Sequence, residues 1–297
     1  MYVLYVAGDW EYDFIINDLL NDIEKKVLIL DNFKSYIDNY MQMGEKCIVV
    51  VGLMSKIDFF LDLEKIKPEV IFFLSDEFGN NPNITRLEKY TKLFLRQYNH
   101  SNYKYGCNSY HIPLGYAKTY LSNKMDKPTK KIKERSTNCS FVGQIKSDRE
   151  HMINIFKKNM KNTNILDTSN TWVIESQVCP PPLLFDIYNN SIFVISGRGN
   201  KSLDCFRIYE AIVAGAIPVT VGSAEEIQIT FNFNGSIPEI IYADDWETAV
   251  DQCNKLLCDY EKLQSMQDSL LNWWCNQKTL INTKIKNILS EAPVETP

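Results

Sequence analysis

Residues 196–222 read SGRGNKSLDCFRIYEAIVAGAIPVTVG, and the fold class follows from this stretch. The apolar run SIFVIS (191–196) predicts a buried strand leading into it, and a Gly-rich turn carrying Arg198 comes next. An amphipathic helix then places Arg207 and Glu210 on neighbouring turns, and AIPVTV (216–221) closes the unit as a second buried strand. A strand, helix and strand of this kind belong to a parallel sheet, with their polar groups gathered at a strand's carboxyl end, the edge where ligands bind.

The chemistry of the segment suits a diphosphate. Its glycines let the backbone approach an anion, the helix N-terminus offers unpaired N–H groups, and two arginines supply forked, permanently charged donors. Glu210 follows Arg207 by three residues and shares its helical face. A carboxylate there repels a phosphate unless it accepts hydrogen bonds from adjacent sugar hydroxyls, which ribose supplies. The alternative is a surface Arg/Glu pair on an ordinary crossover helix. The clustering with Arg198 and the glycines favours the ligand site.

Arg207, Glu210, Ala211, Gly215 and AIPV (216–219) together resemble the nucleotide-sugar segment of the exostosin-like glycosyltransferases, family 47 of the sugar-transferring enzymes. FFLSDE (72–77), YHIPLGY (110–116) and SFVGQIKSDRE (140–150) stand in the order this resemblance implies, and the chain is similar in particular to the short soluble forms of large algal viruses. Cys205 replaces a serine common in that family and Ala216 replaces a cysteine. Both are small, so the site survives with one hydroxyl contact to phosphate lost. The resemblance implies a UDP-sugar donor, UDP over GDP, and a pentose such as xylose over a uronic acid.

Bulk properties fit an enzyme of this class. A chain of 297 residues with 45% hydrophobic content holds two domains with real cores. The net charge of −5 argues against a general nucleic-acid binder, so a phosphate site must rely on local arginines. No apolar run approaches the roughly 20 residues that span a bilayer, and YVLYVA at the start reads as a strand, which leads to the expectation of a cytoplasmic protein, in host cytoplasm if viral, without membrane insertion. The eight cysteines form no CxxC pair and no zinc pattern with the three histidines. Most are expected to be buried free thiols. Six Asn-x-Ser/Thr sequons, at Asn83, Asn99, Asn138, Asn189, Asn200 and Asn234, are expected to be unmodified.

The chain organises into two α/β sets. The first has strands near 2–7, 27–30, 46–51, 70–75, 93–97 and 110–113, with helical stretches such as 11–24 and 33–43; the continuous apolar strands predict a parallel sheet covered on both faces. Residues 118–136 are basic and polar and read as a linker. The second set has strands near 139–142 and 164–166, helices over 148–158 and 180–188, the 196–222 unit, a strand near 239–242, and helix from 246 to 290. The tail APVETP reads as disordered. Two Rossmann-like domains with C-terminal helices crossing back to the first describe the GT-B architecture: 1–117 on the acceptor side, 118–136 as linker, 137–270 binding the nucleotide sugar, and 271–297 packing on the first domain.

A second anion-facing loop follows Phe141 and Val142. Gly143, Gln144, Ser147, Asp148 and Arg149 repeat the pattern of backbone and Arg donors at a helix start, with an Asp cap as the alternative. The expected donor site is thus Gly143, Gln144, Arg149, Ser196, Arg198, Arg207 and Glu210. Trp172 and Tyr188 are either base-stacking or core aromatics. There is no apolar-flanked DxD motif, and Asp244 and Asp245 are adjacent and point apart, so neither a metal nor a cofactor is expected beyond the donor itself. The base should come from carboxyl ends of first-domain strands: Asp76 first, then Glu77, then Asp9, each with a helix N-cap as the alternative. His100 and His111 are further candidates, or structural histidines.

These readings converge on an inverting, metal-independent hexosyl- or pentosyltransferase acting on an oligosaccharide or glycoprotein glycan by single displacement. The rival is a catalytically silent glycan-binding or scaffold protein of the same fold. A nucleotide-sugar dehydrogenase or epimerase would need a GxGxxG turn near the N-terminus, and VAGDWEYD does not supply one.

Overall fold

CIVVVG (47–52) and VIFFL (70–74) have no polar alternation, and both runs are buried along their whole length, as strands of a sheet covered on both faces must be. The computed structural model describes residues 1–31, 33–39, 41, 45–52, 60–79, 86–101, 103, 106–121, 128–146, 148–169 and 179–291. Ser147, Trp172, the Asn83 sequon, part of the basic 118–136 stretch and the 292–297 tail lie outside them.

The chain divides into two units, Met1–Pro113 with Lys278–Pro297, and Leu114–Gln277. In the first, β1 (Tyr2–Tyr5), β2 (Lys26–Ile29), β3 (Cys47–Gly52), β4 (Val70–Leu74), β5 (Leu93–Arg96) and β6 (Ser109–His111) form a parallel sheet in the order β2-β1-β3-β4-β5-β6. Leu4, Val49, Phe73 and Phe94 from the strands meet Phe33 and Tyr36 near α1 (Lys34–Asn39) and Leu63 of α2 (Phe60–Ile66) in one core. The helix expected over 11–24 is a π-type segment, Asp13–Leu19, closed by Leu20 N–H donating to the Ile15 carbonyl, five residues back.

In the second unit, β7 (Thr137–Gly143), β8 (Thr163–Asp167), β9 (Ser191–Ile195), β10 (Ile217–Val221) and β11 (Ile241–Ala243) pair in parallel in the order β11-β10-β9-β7-β8. The connecting helices are α3 (Arg149–Asn159), α4 (Pro181–Asn189), α5 (Phe206–Val213), α6 (Ala224–Phe231) and α7 (Trp246–Leu256). Both sheets share one topology: the chain starts at an inner strand, adds its second strand on one side and all later strands on the other. The direction reverses between β1 and β3, and between β7 and β9. Ligands of such sheets bind at the carboxyl ends of the strands at that switch point.

The basic stretch before β7 is built into this unit. Ile132 and Arg135 are buried. The Arg135 guanidinium donates to the carbonyls of Tyr188, Ser191 and Ala214 at 2.7 to 3.0 Å, tying the chain to the ends of α4 and α5. Helix α8 (Tyr260–Ser290) contributes its last residues to the first unit. There Lys278 grips both Asp18 carboxylate oxygens, at 2.8 and 2.9 Å, and Asn282 donates to the Leu19 carbonyl and to Asp22.

The cysteines correct one expectation. Cys47, Cys139, Cys179 and Cys253 are buried, but Cys107, Cys258 and Cys275 are exposed and Cys205 is half-buried; all eight are unpaired.

Candidate functional site

The switch point of the second unit falls between the two loops that the sequence marks, the one after β7 and the one after β9. Arg207, in the first turn of α5, reaches across to β7: its Nε donates to the Val142 carbonyl at 3.2 Å, and its guanidinium lies 4.8 Å from the Phe141 ring centre. A Cβ on Gly143 would stand 2.6 Å from Arg207 Nη2, so glycine here makes room for the arginine. Among the described residues none accepts a hydrogen bond from Nη2, and Nη1 has only a 3.7 Å contact with Cys205 Sγ. Cys205 is the N-cap of α5 and makes no side-chain cap, which leaves first-turn N–H groups uncapped next to this cation.

Arg149 takes a different part from the expected one. It is buried, and its Nε donates to the Arg198 carbonyl at 3.1 Å and its Nη1 to the Gln144 carbonyl at 3.0 Å, with Nη2 also on the Arg198 carbonyl. Its guanidinium clamps the two loops together instead of facing an anion. Gly197 accommodates it, since a Cβ there would lie 2.9 Å from Arg149 Cγ. Arg198 projects to the surface and is held by Glu226 of α6 through both terminal guanidinium nitrogens, Nη1 and Nη2. Ser196 is fully buried with its Oγ 3.0 Å from Cys205 Sγ, so it supports the α5 cap from behind. Asp148 is the N-cap of α3 but its side chain makes no capping bond.

Glu210 is buried, one turn beyond Arg207. Its Oε1 accepts from Ala117 N–H at 3.3 Å, while its carbonyl accepts from Tyr120 Oη at 2.7 Å. Residues just beyond the YHIPLGY motif therefore pack on α5. Burial pushes the Glu210 carboxyl up to about 7, against the opposing pull of the Ala117 bond and Arg207. Tyr188 is 1% exposed and belongs to the core, which excludes it as a stacking face.

The first-unit carboxylates separate by environment. Asp76 is 0% exposed and ion-paired with Arg96 at 2.8 Å. Glu77 is buried and Asp9 is exposed. His100 bonds the Asp76 carbonyl at 3.0 Å and His111 is buried. Glu11, which sequence reasoning passed over, is buried at the end of the β1 loop, with Oε1 3.0 Å from Ser75 Oγ. Asp245 caps α7 through Thr248 N–H. Among the described residues no group of three or more His, Cys, Asp or Glu side chains is arranged to hold a metal ion, and no helix is long and apolar enough to cross a membrane.

The family model of the RXYLT1 C-terminal domain matches residues 119–293, more than half of the chain. The chain belongs to that family. This RXYLT1-type domain is an exostosin-like glycosyltransferase, and the match takes in Gly143, Arg149, Arg198, Arg207 and Glu210 while stopping short of β1 to β6. Solved structures place it in the GT-B fold. It is similar to an α1,3-fucosyltransferase (11% identity, TM-score 0.50, 98% of this chain and 90% of that one). It is similar also to the DNA-modifying enzyme β-glucosyltransferase (12%, 0.51, 98% and 100%). A third is Anabaena Alr3699/HepE in complex with UDP and glucose (10%, 0.50, 98% and 99%). A search of curated protein sequences finds no match.

Proposed function

We propose that this glycosyltransferase is an inverting, metal-independent enzyme that transfers a sugar from a UDP-sugar, with UDP-xylose the favoured donor, to a hydroxyl of an oligosaccharide or glycoprotein glycan. One observation carries the reading: Arg207 stands at the switch point with Nη2 free of described acceptors, beside a glycine and the uncapped start of α5. A diphosphate completes that arrangement. Its developing charge is met by a fixed guanidinium and by helix N–H groups, which act where bond breaking places the charge. Glu210, one turn on, accepts from the ribose hydroxyls. Arg149 fixes the shape of both loops, and Arg198, shared with Glu226, is a second guanidinium at the rim.

The nucleotide sugar is assigned to the second unit, and the acceptor and the catalytic base to the first. The acceptor oxygen attacks the anomeric carbon from the face opposite the diphosphate, so configuration inverts. Xylose is supported by the family to which the chain belongs, and a cytoplasmic location by eight unpaired cysteines. Calorimetry with UDP and GDP in EDTA tests the donor and the metal independence together. UDP binding in EDTA is expected, and binding that appears only with added divalent cation overturns the metal-independent mechanism. The anomeric configuration of the product, read by NMR, decides the stereochemistry.

A further inference from the structure

We infer that Glu11 is the general base of this transfer, a catalytic residue whose carboxylate takes the proton of the acceptor hydroxyl, with Ser75 as the positioning residue that aims it. The inference rests on the transferase reading above.

The first unit repeats the topology of the second, and its switch point lies at the carboxyl ends of β1 and β3. Glu11 sits in the loop that leaves β1. It is 3% exposed, and the two residues before it in the same loop, Asp9 and Trp10 (57% exposed), are open to solvent. It is held there across the sheet by Ser75, which donates to Glu11 Oε1 at 3.0 Å. Ser75 closes β4 at φ +66°, a left-handed conformation that a non-glycine residue adopts only when its surroundings enforce it. The enforcing contact is Gln97, whose Oε1 accepts from Ser75 N–H at 3.1 Å. Strain is thus stored in the residue that positions the carboxylate.

The other carboxylates fit the role less well. Asp76 is 0% exposed with its Oδ2 ion-paired to Arg96, and Asp9 is exposed to solvent. The ionisable groups that interact with Glu11 are Asp9 on its own loop and Tyr5 of β1, and neither is a cation. From the β4 side the group facing it is Ser75; beyond that, the Asp76 and Arg96 charges are consumed by each other. Burial, reinforced by Asp9 and opposed by the Ser75 bond, lifts the Glu11 carboxyl to about 7, the range in which a base is both available and strong at neutral pH. In the step itself the acceptor oxygen bonds to the anomeric carbon while that carbon's bond to the diphosphate oxygen breaks. The electron pair leaves with UDP, and the acceptor proton passes to Glu11.

The test uses the full chain and follows UDP release from UDP-xylose with water as acceptor, across pH. Wild-type turnover should rise through an acid limb near pH 7. Glu11→Gln should lose at least about 100-fold in kcat while binding UDP within about twofold of wild type. Ser75→Ala removes a bond that favours the charged carboxylate, so the acid limb should move to higher pH; a purely structural serine would leave it in place. Wild-type turnover in Glu11→Gln, or an unmoved limb in Ser75→Ala, overturns the inference, and the second measurement decides alone if Glu11→Gln does not fold. Should wild type neither bind UDP nor release it, the transferase reading falls and takes this inference with it; UDP binding and turnover that survive Glu11→Gln remove only the base.

Discussion

Asp76 and Arg96 form an ion pair closed to solvent on both sides. Arg96 Nη2 donates to Asp76 Oδ2 at 2.8 Å, with the two side chains 1% and 0% exposed, and the guanidinium also packs 3.7 Å from the Tyr103 ring centre. Its Nε holds the carbonyls of Gln97 and Tyr98, where the chain turns after β5. Removing one partner leaves the other charge buried alone. Asp76→Ala should therefore cost about 3–5 kcal/mol, on the order of 10 °C in Tm, by thermal denaturation. An unchanged Tm combined with lost turnover would return Asp76 to the role of base.

Arg207→Ala should weaken UDP binding by about 1.5–3 kcal/mol in calorimetry, the scale of a charged hydrogen bond, with the fold intact by circular dichroism. Unchanged affinity in the folded variant refutes the diphosphate site.

Arg198 offers a contrasting case, because Glu226 already satisfies it and holds it more firmly protonated than a free arginine. Glu226→Gln releases that guanidinium and removes a negative charge from the rim. UDP should bind this variant at least as tightly as wild type. A clear loss of affinity would mean that the Arg198–Glu226 pair, as a unit, shapes the site.

Stability should depend on pH in a particular window. Glu11 and Glu210 are both raised by burial from 4.5 to about 7, so the folded chain holds their protons longer than the unfolded one. That contribution is complete below about pH 4.5 and is lost as pH rises to about 7, after which it is flat. Tm should fall between pH 5 and 7, and the slope should diminish in Glu11→Gln and again in Glu11→Gln with Glu210→Gln. A Tm that rises steadily across this window would contradict the burial of both groups.

Thiol titration separates two populations. Cys107, Cys258 and Cys275 should react quickly in the native protein, whereas Cys47, Cys139 and Cys253 should wait for unfolding; burial pushes the Cys47 thiol up to about 12. Denatured, non-reduced protein should give eight thiols, and a smaller number would sink the cytoplasmic assignment.

The sheet architecture was legible because parallel strands buried on both faces write themselves as unbroken apolar runs, as in 47–52 and 70–74. Arg207 and Glu210 were legible for a related reason: a helix fixes the relation between residues three apart. Helix α6 was passed over although Ser223 and Glu226 have the spacing of a capping box, and Ser223 Oγ does accept from Glu226 N–H. What Arg149 touches was not legible. Its acceptor on Arg198 is 49 residues away, and nothing local tells a guanidinium whether it meets a ligand or a carbonyl. Glu11 was hidden in the same way, since Ser75, which holds it, is 64 residues distant.

Helix α8 makes the first-synthesised sheet the last to be finished. Strands β1 to β6 emerge from the ribosome before any part of the second unit, yet Asp18, Asp22 and Lys46 bond to Lys278, to Asn282 and Lys286, and to the carbonyls of Leu289 and Glu291. Residues 114–277 can complete their own contacts meanwhile. The nascent N-terminal sheet must wait, partly uncovered, through the translation of just over half the chain, so chaperone demand and translational pausing should fall on this half of the protein.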